Sequence, residues 1–287
     1  RAGCGRGPDR RLNAYRPDLA DVRLQDVVVA DRYVAGREGS IGVGAASVRA
    51  NPEATATQET QALFGEPVVV FESTPDWSWV QLQGDGYVGY IATAALARPF
   101  PPPTHRLIVP RSFIYPRADI KAPVADLLSL GTEVAVERYD GAFAALAVGG
   151  FVIAGHLVPI AAVGDFVGLA EQIVGTPYQW GGKTSVGLDC SGLVQIALLA
   201  AGRDSPRDSY MQEAGLGERI GENNDIAQLR RGDLVFWRGH VGIMVDGERL
   251  LHANGYHMLT VIEPLTEAIA RIAGTGSEVT SLKRIAR

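Results

Sequence analysis

Gly175-Thr-Pro-Tyr-Gln-Trp-Gly-Gly-Lys-Thr-Ser-Val-Gly-Leu-Asp-Cys-Ser-Gly-Leu-Val194 is a glycine-rich loop that delivers one cysteine, Cys190, to the start of a helix. After Cys190 the apolar residues Leu193, Val194, Ile196, Ala197 and Ala200 recur at helical spacing, and Gly202 supplies the stop. A thiol placed there meets unpaired backbone N–H groups and the positive end of the helix dipole, which favour thiolate over thiol. The upstream glycines let backbone pass close to a bound substrate. A lone cysteine is ordinarily a buried structural residue. This one instead precedes the apolar face of its helix, and two histidines follow it in apolar, strand-like runs. His240 begins a strand in Gly239-His-Val-Gly-Ile-Met-Val245, and His252 ends a short one in Arg249-Leu-Leu-His-Ala-Asn254.

Six blocks stand in a telling order: Thr176-Pro-Tyr-Gln-Trp-Gly-Gly182, Asp189-Cys-Ser-Gly-Leu-Val194, Pro206-Arg-Asp-Ser209, Gly232-Asp-Leu-Val-Phe236, Gly239-His-Val-Gly-Ile243 and Leu251-His-Ala253. From about residue 162 to the C-terminus the chain resembles the NlpC/P60 cysteine peptidases. The resemblance implies a papain-like α+β domain over residues 162–287 that cuts cell-wall peptides. It makes Cys190 the nucleophile, His240 the general base and His252 the group that orients it, which suits thiol–imidazole chemistry. A zinc site built from His240, His252 and His257 is the rival. It is disfavoured because no Cys or carboxylate falls at a usual ligand spacing and because it leaves Cys190 unexplained. No metal and no cofactor is expected, and His105, His156 and His257 read as structural or exposed.

The 287 residues, 46% of them hydrophobic, suffice for two or three domains with their own cores. A net charge of -5 provides no basic field, so neither nucleic acid nor a membrane is an expected partner. No apolar run approaches the roughly 20 residues that span a bilayer, and residues 1 to 20, charged and proline-bearing, are unlike a signal peptide. Two cysteines, one of them the proposed nucleophile, leave no disulfide framework and favour a reducing compartment. Arg-Ala-Gly-Cys4 is a poor match to the end of a lipoprotein signal, since Arg1 stands where an aliphatic residue is expected; residues 1 to 12 read as a loose tail.

Residues 1–32 form an N-terminal arm lying on the first domain. From 33 to 98 short β-like runs, Val68-Val-Val-Phe71, Trp79-Val-Gln-Leu82 and Tyr87-Val-Gly-Tyr-Ile91, are punctuated by Asp76 and Gly84-Asp-Gly86. Pro99-Phe-Pro-Pro-Pro-Thr104 is a stiff linker. A second strand set over 105–161 repeats the first at an offset close to 65, Gly131 matching Gly65, Phe143 near Trp79 and Phe151 near Tyr87. A helix capped by Asp165 runs through Val174 and opens the last domain. Both strand sets resemble bacterial SH3 domains, two small β-barrels, the second degenerate.

Peptidases that join paired SH3 domains to this catalytic domain resemble γ-D-glutamyl-L-diamino acid endopeptidases that require an N-terminal L-Ala. The γ-D-glutamyl bond leaves an α-carboxylate beside the scissile amide, and a free peptide adds an amine. Arg207 suits the carboxylate and Asp189 the amine, with Ser191 and Ser209 beside them. The resemblance further implies that the first SH3 domain closes one end of the cleft and contributes a tyrosine and an acid, for which Tyr87 and Glu59 are the candidates. The expected partner is a short murein peptide, and the expected setting is cytoplasmic recycling. An exported hydrolase of intact wall and a non-enzymatic wall-binding module are the alternatives.

Overall fold

The computed structural model describes residues 7–286. Cys4 and the lipoprotein reading attached to it lie outside the described residues. The chain divides into two compact units, Arg1–Pro101 and Pro102–Arg287, and the division falls inside the proline-rich segment.

The first unit carries β1 (Ala20–Asp21), β2 (Tyr33–Val34), β3 (Arg37–Ile41), β4 (Ala45–Arg49), β5 (Gln58–Leu63), β6 (Pro67–Ser73), β7 (Trp77–Leu82), β8 (Val88–Ala92) and β9 (Leu96–Ala97). Seven of these form one antiparallel sheet in the order β5-β4-β8-β7-β6-β3-β9. Side chains alternate across a strand, and here both faces are covered, which is why β6 reads Val-Val-Val-Phe without polar alternation. Val68, Val70, Val80 and Leu82 point into the core with Ile41, Val48 and Ile91. Phe71 and Trp79 point the other way and pack against Ala14 and Leu19 of the arm. The expected arm is thus a lid on the outer face of the sheet. It is pinned by Arg16, whose guanidinium lies 4.5 Å over the Trp79 ring and donates to Glu72 Oε2 at 2.7 Å and to Tyr90 Oη at 3.0 Å.

The second unit begins with β10 (His105–Leu107), β11 (Arg111–Ile114), β12 (Asp126–Ser129), β13 (Glu133–Val134), β14 (Val136–Asp140), β15 (Phe143–Leu146), β16 (Phe151–Ile153) and β17 (Leu157–Pro159). In place of one barrel sheet this stretch forms three small antiparallel ones, β13-β10-β17, β11-β12 and β14-β15-β16. Its strands are two to five residues long and left-handed glycines at 141, 149 and 150 interrupt them, so no long ladder can form. One turn does recur. Gly65 and Gly131 have φ of 81° and 79°, and each donates to the carbonyl 24 residues before it, Ile41 and Leu107, at 2.9 and 3.0 Å.

The remainder is α1 (Phe166–Glu171), β18 (Lys183–Thr184), β19 (Gly187–Leu188), α2 (Cys190–Ala200), α3 (Ser209–Gly215), β20 (Glu218–Arg219), β21 (Asp233–Trp237), β22 (His240–Met244), β23 (Arg249–Asn254), β24 (Leu259–Pro264), α4 (Leu265–Ala273) and β25 (Val279–Arg284). Asp165 caps α1 through Val167 N. The regular helix ends at Glu171, three residues before the expected Val174, because Ile173 and Val174 bond to carbonyls three residues back and tighten the chain toward Gly175. A six-stranded antiparallel sheet, β20-β25-β21-β22-β23-β24, follows α1 to α3, but α4 enters the chain between β24 and β25, where only strands and turns were expected. The helix α2 is buried on nearly every side, with Leu193, Val194, Ile196 and Ala197 fully enclosed, and it packs on β22 and β23.

Trp79→Ala should lower stability by about 3 to 5 kcal/mol, since it empties the site under the arm. Urea unfolding followed by circular dichroism measures it; a loss below about 1 kcal/mol would show that the arm does not depend on this ring.

Candidate active site

Asp189 is the N-cap of α2, its Oδ1 accepting from Gly192 N at 2.7 Å, while its Oδ2 accepts from Gly181 N at 2.9 Å. Loop and helix lie so close that a Cβ on Gly192 would stand 2.0 Å from the Gly182 carbonyl oxygen, so this position of the Asp-Cys-Ser-Gly run admits glycine alone. Arg207, 1% exposed, closes the arrangement from the next loop. Its Nη1 and Nη2 donate to the two Asp189 oxygens at 2.9 and 2.7 Å, Nη1 also to Ser191 Oγ at 2.9 Å, and Nη2 to the Gly182 carbonyl at 3.3 Å.

These contacts revise the expected substrate roles. Arg207 and Asp189 are spent on each other and on the nucleophile loop, because a buried guanidinium beside a buried carboxylate is far cheaper paired than aimed at an intermittent ligand. Ser191 Oγ turns inward on Asp189 at 3.3 Å, and Ser209 is buried as the first residue of α3. In the first unit Tyr87 is 1% exposed and sits in the core with Val80, Leu82 and Ile91. Glu59 is half-buried on β5.

The sheet brings the other expected groups together. Cys190 Sγ lies 4.0 Å from the Gly239 carbonyl and takes a hydrogen bond from Val241 N, so the thiol faces the backbone on either side of His240. His240, the first residue of β22, sets its Nε2 2.8 Å from Nδ1 of His252, the two rings meeting nearly edge to face. His252 is fully enclosed inside β23, which runs on to Asn254 and so does not end at the histidine. Its Nε2 lies 2.6 Å from Glu263 Oε1 on β24, and Arg271 of α4 holds that carboxylate through both oxygens. Glu263 and Arg271 escaped the sequence reading. Glu263 belongs to a strand that also reads as loop, and only the β23–β24 register, with Leu250 opposite Glu263 and His252 opposite Val261, sets it diagonal to the histidine. Tyr178, inside the quoted loop, was likewise not singled out; burial, then Cys190 and Asp189, push its hydroxyl up to about 12, so it remains a donor. His105, bonded to Thr104 and Tyr139, and His156, bonded to Ser112, face elsewhere, while His257 bonds Asn254 beside His252.

The electrostatics differ from the expectation at one point. The helix N-terminus was expected to favour thiolate, but burial pushes the Cys190 thiol up to about 12, with the Asp189 charge adding to the effect against the N–H groups of Val241 and Ser191 and against Arg207. Burial, then His252 and Arg271, takes His240 down to about 3. Both directions favour the uncharged forms, thiol and neutral imidazole.

The profile described as the NlpC/P60 family matches residues 175–272, and one described as the bacterial dipeptidyl-peptidase Sh3 domain matches residues 48–96. A gamma-D-glutamyl-L-lysine dipeptidyl-peptidase of Bacillus subtilis is 30% identical over 74% of this chain and 77% of its own length. One from Bacillus cereus is 26% identical over 72% and 70%. The crystal structure of a Bacillus cereus NlpC/P60 family protein covers 88% of this chain with a TM-score of 0.74 at 20% identity, a likeness of fold.

Arg207→Ala should destabilise the second unit by about 3 to 5 kcal/mol, since it strands the Asp189 carboxylate in a buried site; thermal unfolding measures this, and a folded variant of wild-type stability would return Arg207 to the list of ligand contacts. Iodoacetamide labelling of Cys190, read on its tryptic peptide, should be slow at pH 7 and still rising at pH 10, because a thiol held near 12 ionises only there. A plateau reached below neutral pH would instead mean a standing thiolate–imidazolium pair.

Proposed function

The chain belongs to the NlpC/P60 family, and from that premise we propose that it is a cysteine peptidase hydrolysing the bond between γ-D-glutamate and a diamino acid, diaminopimelate or L-Lys, in short murein peptides that begin with L-Ala. The observation that carries this reading is the Cys190 thiol at the start of α2, facing the strand that opens with His240, with His252 directly behind that imidazole. The named activity of the Bacillus relatives supports the choice of bond. The same reading takes residues 33–98 and 105–161 as two SH3-like domains, the second degenerate, supported by the turn that recurs at Gly65 and Gly131, and residues 162–287 as the peptidase domain. Its setting is the cytoplasm, where peptides already released from the wall are recycled.

In this mechanism Sγ of Cys190 attacks the γ-carbonyl carbon while the thiol proton passes to His240, so general-base assistance accompanies the attack rather than preceding it. Oxygen takes the displaced electron pair near the positive N-terminal end of α2. Collapse breaks the C–N bond as His240 returns the proton to the leaving amine. Water, deprotonated by His240, then cleaves the thioester, releasing L-Ala-D-Glu and restoring the thiol. His252 holds the imidazole plane through both proton transfers.

Cys190→Ala and His240→Ala should each abolish cleavage of L-Ala-γ-D-Glu-diaminopimelate, and His252→Ala should leave traces; mass analysis of the products decides, and turnover by a folded Cys190→Ala protein would refute the assignment. The proposed substrates begin with a free L-Ala, and capping its amine removes a positive charge and adds bulk. The N-acetylated tripeptide should therefore be cut at least about a hundredfold more slowly, which requires only about 2.7 kcal/mol. Equal rates on the two peptides, or fragments released from intact sacculi, would favour an enzyme of the wall itself.

A further inference from the structure

Behind His252 lie two charged groups that the reaction above does not use, Glu263 and Arg271. Arg271 Nη1 donates to Glu263 Oε2 at 2.7 Å and Nη2 to Oε1, and the guanidinium lies 4.6 Å over the Tyr256 ring. Against their burial, the hydrogen bonds from Arg271 and His252 hold the Glu263 carboxyl below its ordinary range. A carboxylate so clamped is ionised and can only accept. Nε2 of His252, 2.6 Å away, must therefore carry a hydrogen.

The rest follows by alternation along the line. A neutral imidazole with hydrogen on Nε2 has its lone pair on Nδ1. That lone pair faces Nε2 of His240 at 2.8 Å, so this nitrogen in turn carries a hydrogen, and the lone pair of His240 falls on Nδ1. Asn254 Nδ2 also stands 3.1 Å from Nε2 of His252, but its orientation is set by Oδ1, which accepts from His257 N at 2.8 Å. Two donors do not bond, and the carboxylate is the shorter and charged partner.

We propose that Glu263, held by Arg271, is a positioning residue of the peptidase centre: by fixing the tautomer of His252 it fixes that of His240, leaving Nδ1 as the atom that takes the thiol proton. The proposal rests on the peptidase reading of Cys190 and His240. Arg271 adds a second effect. His252 is faced by His240 from β22, by Glu263 from β24, by Arg271 from α4, with Glu267 and Tyr256 beside that guanidinium, and by His257 from the turn after β23. Burial disfavours the imidazolium form of His252, Glu263 favours it, and Arg271 and His257 oppose it. Without Arg271 the carboxylate is opposed by burial and His257 alone, and His252 takes up a proton at higher pH. An imidazolium carries hydrogen on both nitrogens, so Nε2 of His240 would have to become the acceptor and Nδ1 would lose its lone pair.

The test compares the full-length wild type with Glu263→Leu, Arg271→Met and Arg271→Lys, using the tripeptide as substrate and histidine 15N spectra of the free protein. In the wild type both His240 and His252 should show hydrogen on Nε2. Glu263→Leu should mix the tautomers and lower kcat about a hundredfold while KM moves less than about threefold, the pattern of a lost orienting carboxylate. Arg271→Met should move the acid limb of kcat/KM up by about one pH unit, and Arg271→Lys should restore at least half of that shift because charge, not shape, opposes the proton. Wild-type histidine nitrogens in folded Glu263→Leu, or an acid limb unmoved in Arg271→Met, would overturn the proposal, and the arginine variants decide it if Glu263→Leu does not fold. A wild type that shows the expected nitrogens yet cleaves no peptide would sink the peptidase reading and leave the tautomer line standing.

Discussion

The buried ion pair between Asp189 and Arg207 is the constraint on which the rest of the second unit depends. One carboxylate caps α2, receives the Gly181 amide and binds the guanidinium through both oxygens, tying the glycine loop, the nucleophile helix and the Pro206–Ser209 loop to a single point. Such a pair is worth little relative to an apolar core, but breaking it is costly. Its value is therefore geometric. It sets where the first turn of α2 begins, and hence where Cys190 stands against β22.

That geometry also decides the protonation of the centre. A helix N-terminus alone lowers a thiol, by a fraction of the effect that full burial exerts in the other direction. Here burial prevails for both partners: the thiol rises toward 12 and the imidazole falls toward 3. Burial disfavours the two charges that a standing ion pair would need, so in the proposed mechanism the proton moves only when a carbonyl is there to be attacked. The line from His240 through His252 to Glu263 then matters for where a lone pair sits rather than for how much charge it carries.

The first unit answers to a different constraint. Its sheet is apolar on both faces, and a sheet so built must be covered twice. The arm covers the outer face through Ala14 and Leu19, with Arg16 stacked on Trp79, while Tyr87 belongs to the inner core and not to a surface. In the second unit the segment after the proline-rich stretch has a like turn at Gly131 but no long ladders, since glycines at 141, 149 and 150 cut its strands short.

By itself the amino-acid sequence determined the family and the mixed α+β make-up of the last domain, and it singled out Cys190, His240 and His252, because the glycine loop, the helical apolar spacing and the strand-like runs around each histidine are local patterns that survive without tertiary context. It also showed the seam between the two strand-rich stretches. What only the tertiary structure decided were the partners of charged groups. Arg207 and Asp189 are read as ligand contacts when seen as loop residues and become a structural pair once burial makes an unpaired charge untenable. Glu263 and Arg271, 11 and 19 residues beyond His252, become its neighbours only through the β23–β24 register and the return of α4. Desolvation, which no linear pattern encodes, then reverses the ionisation that the position of Cys190 suggested.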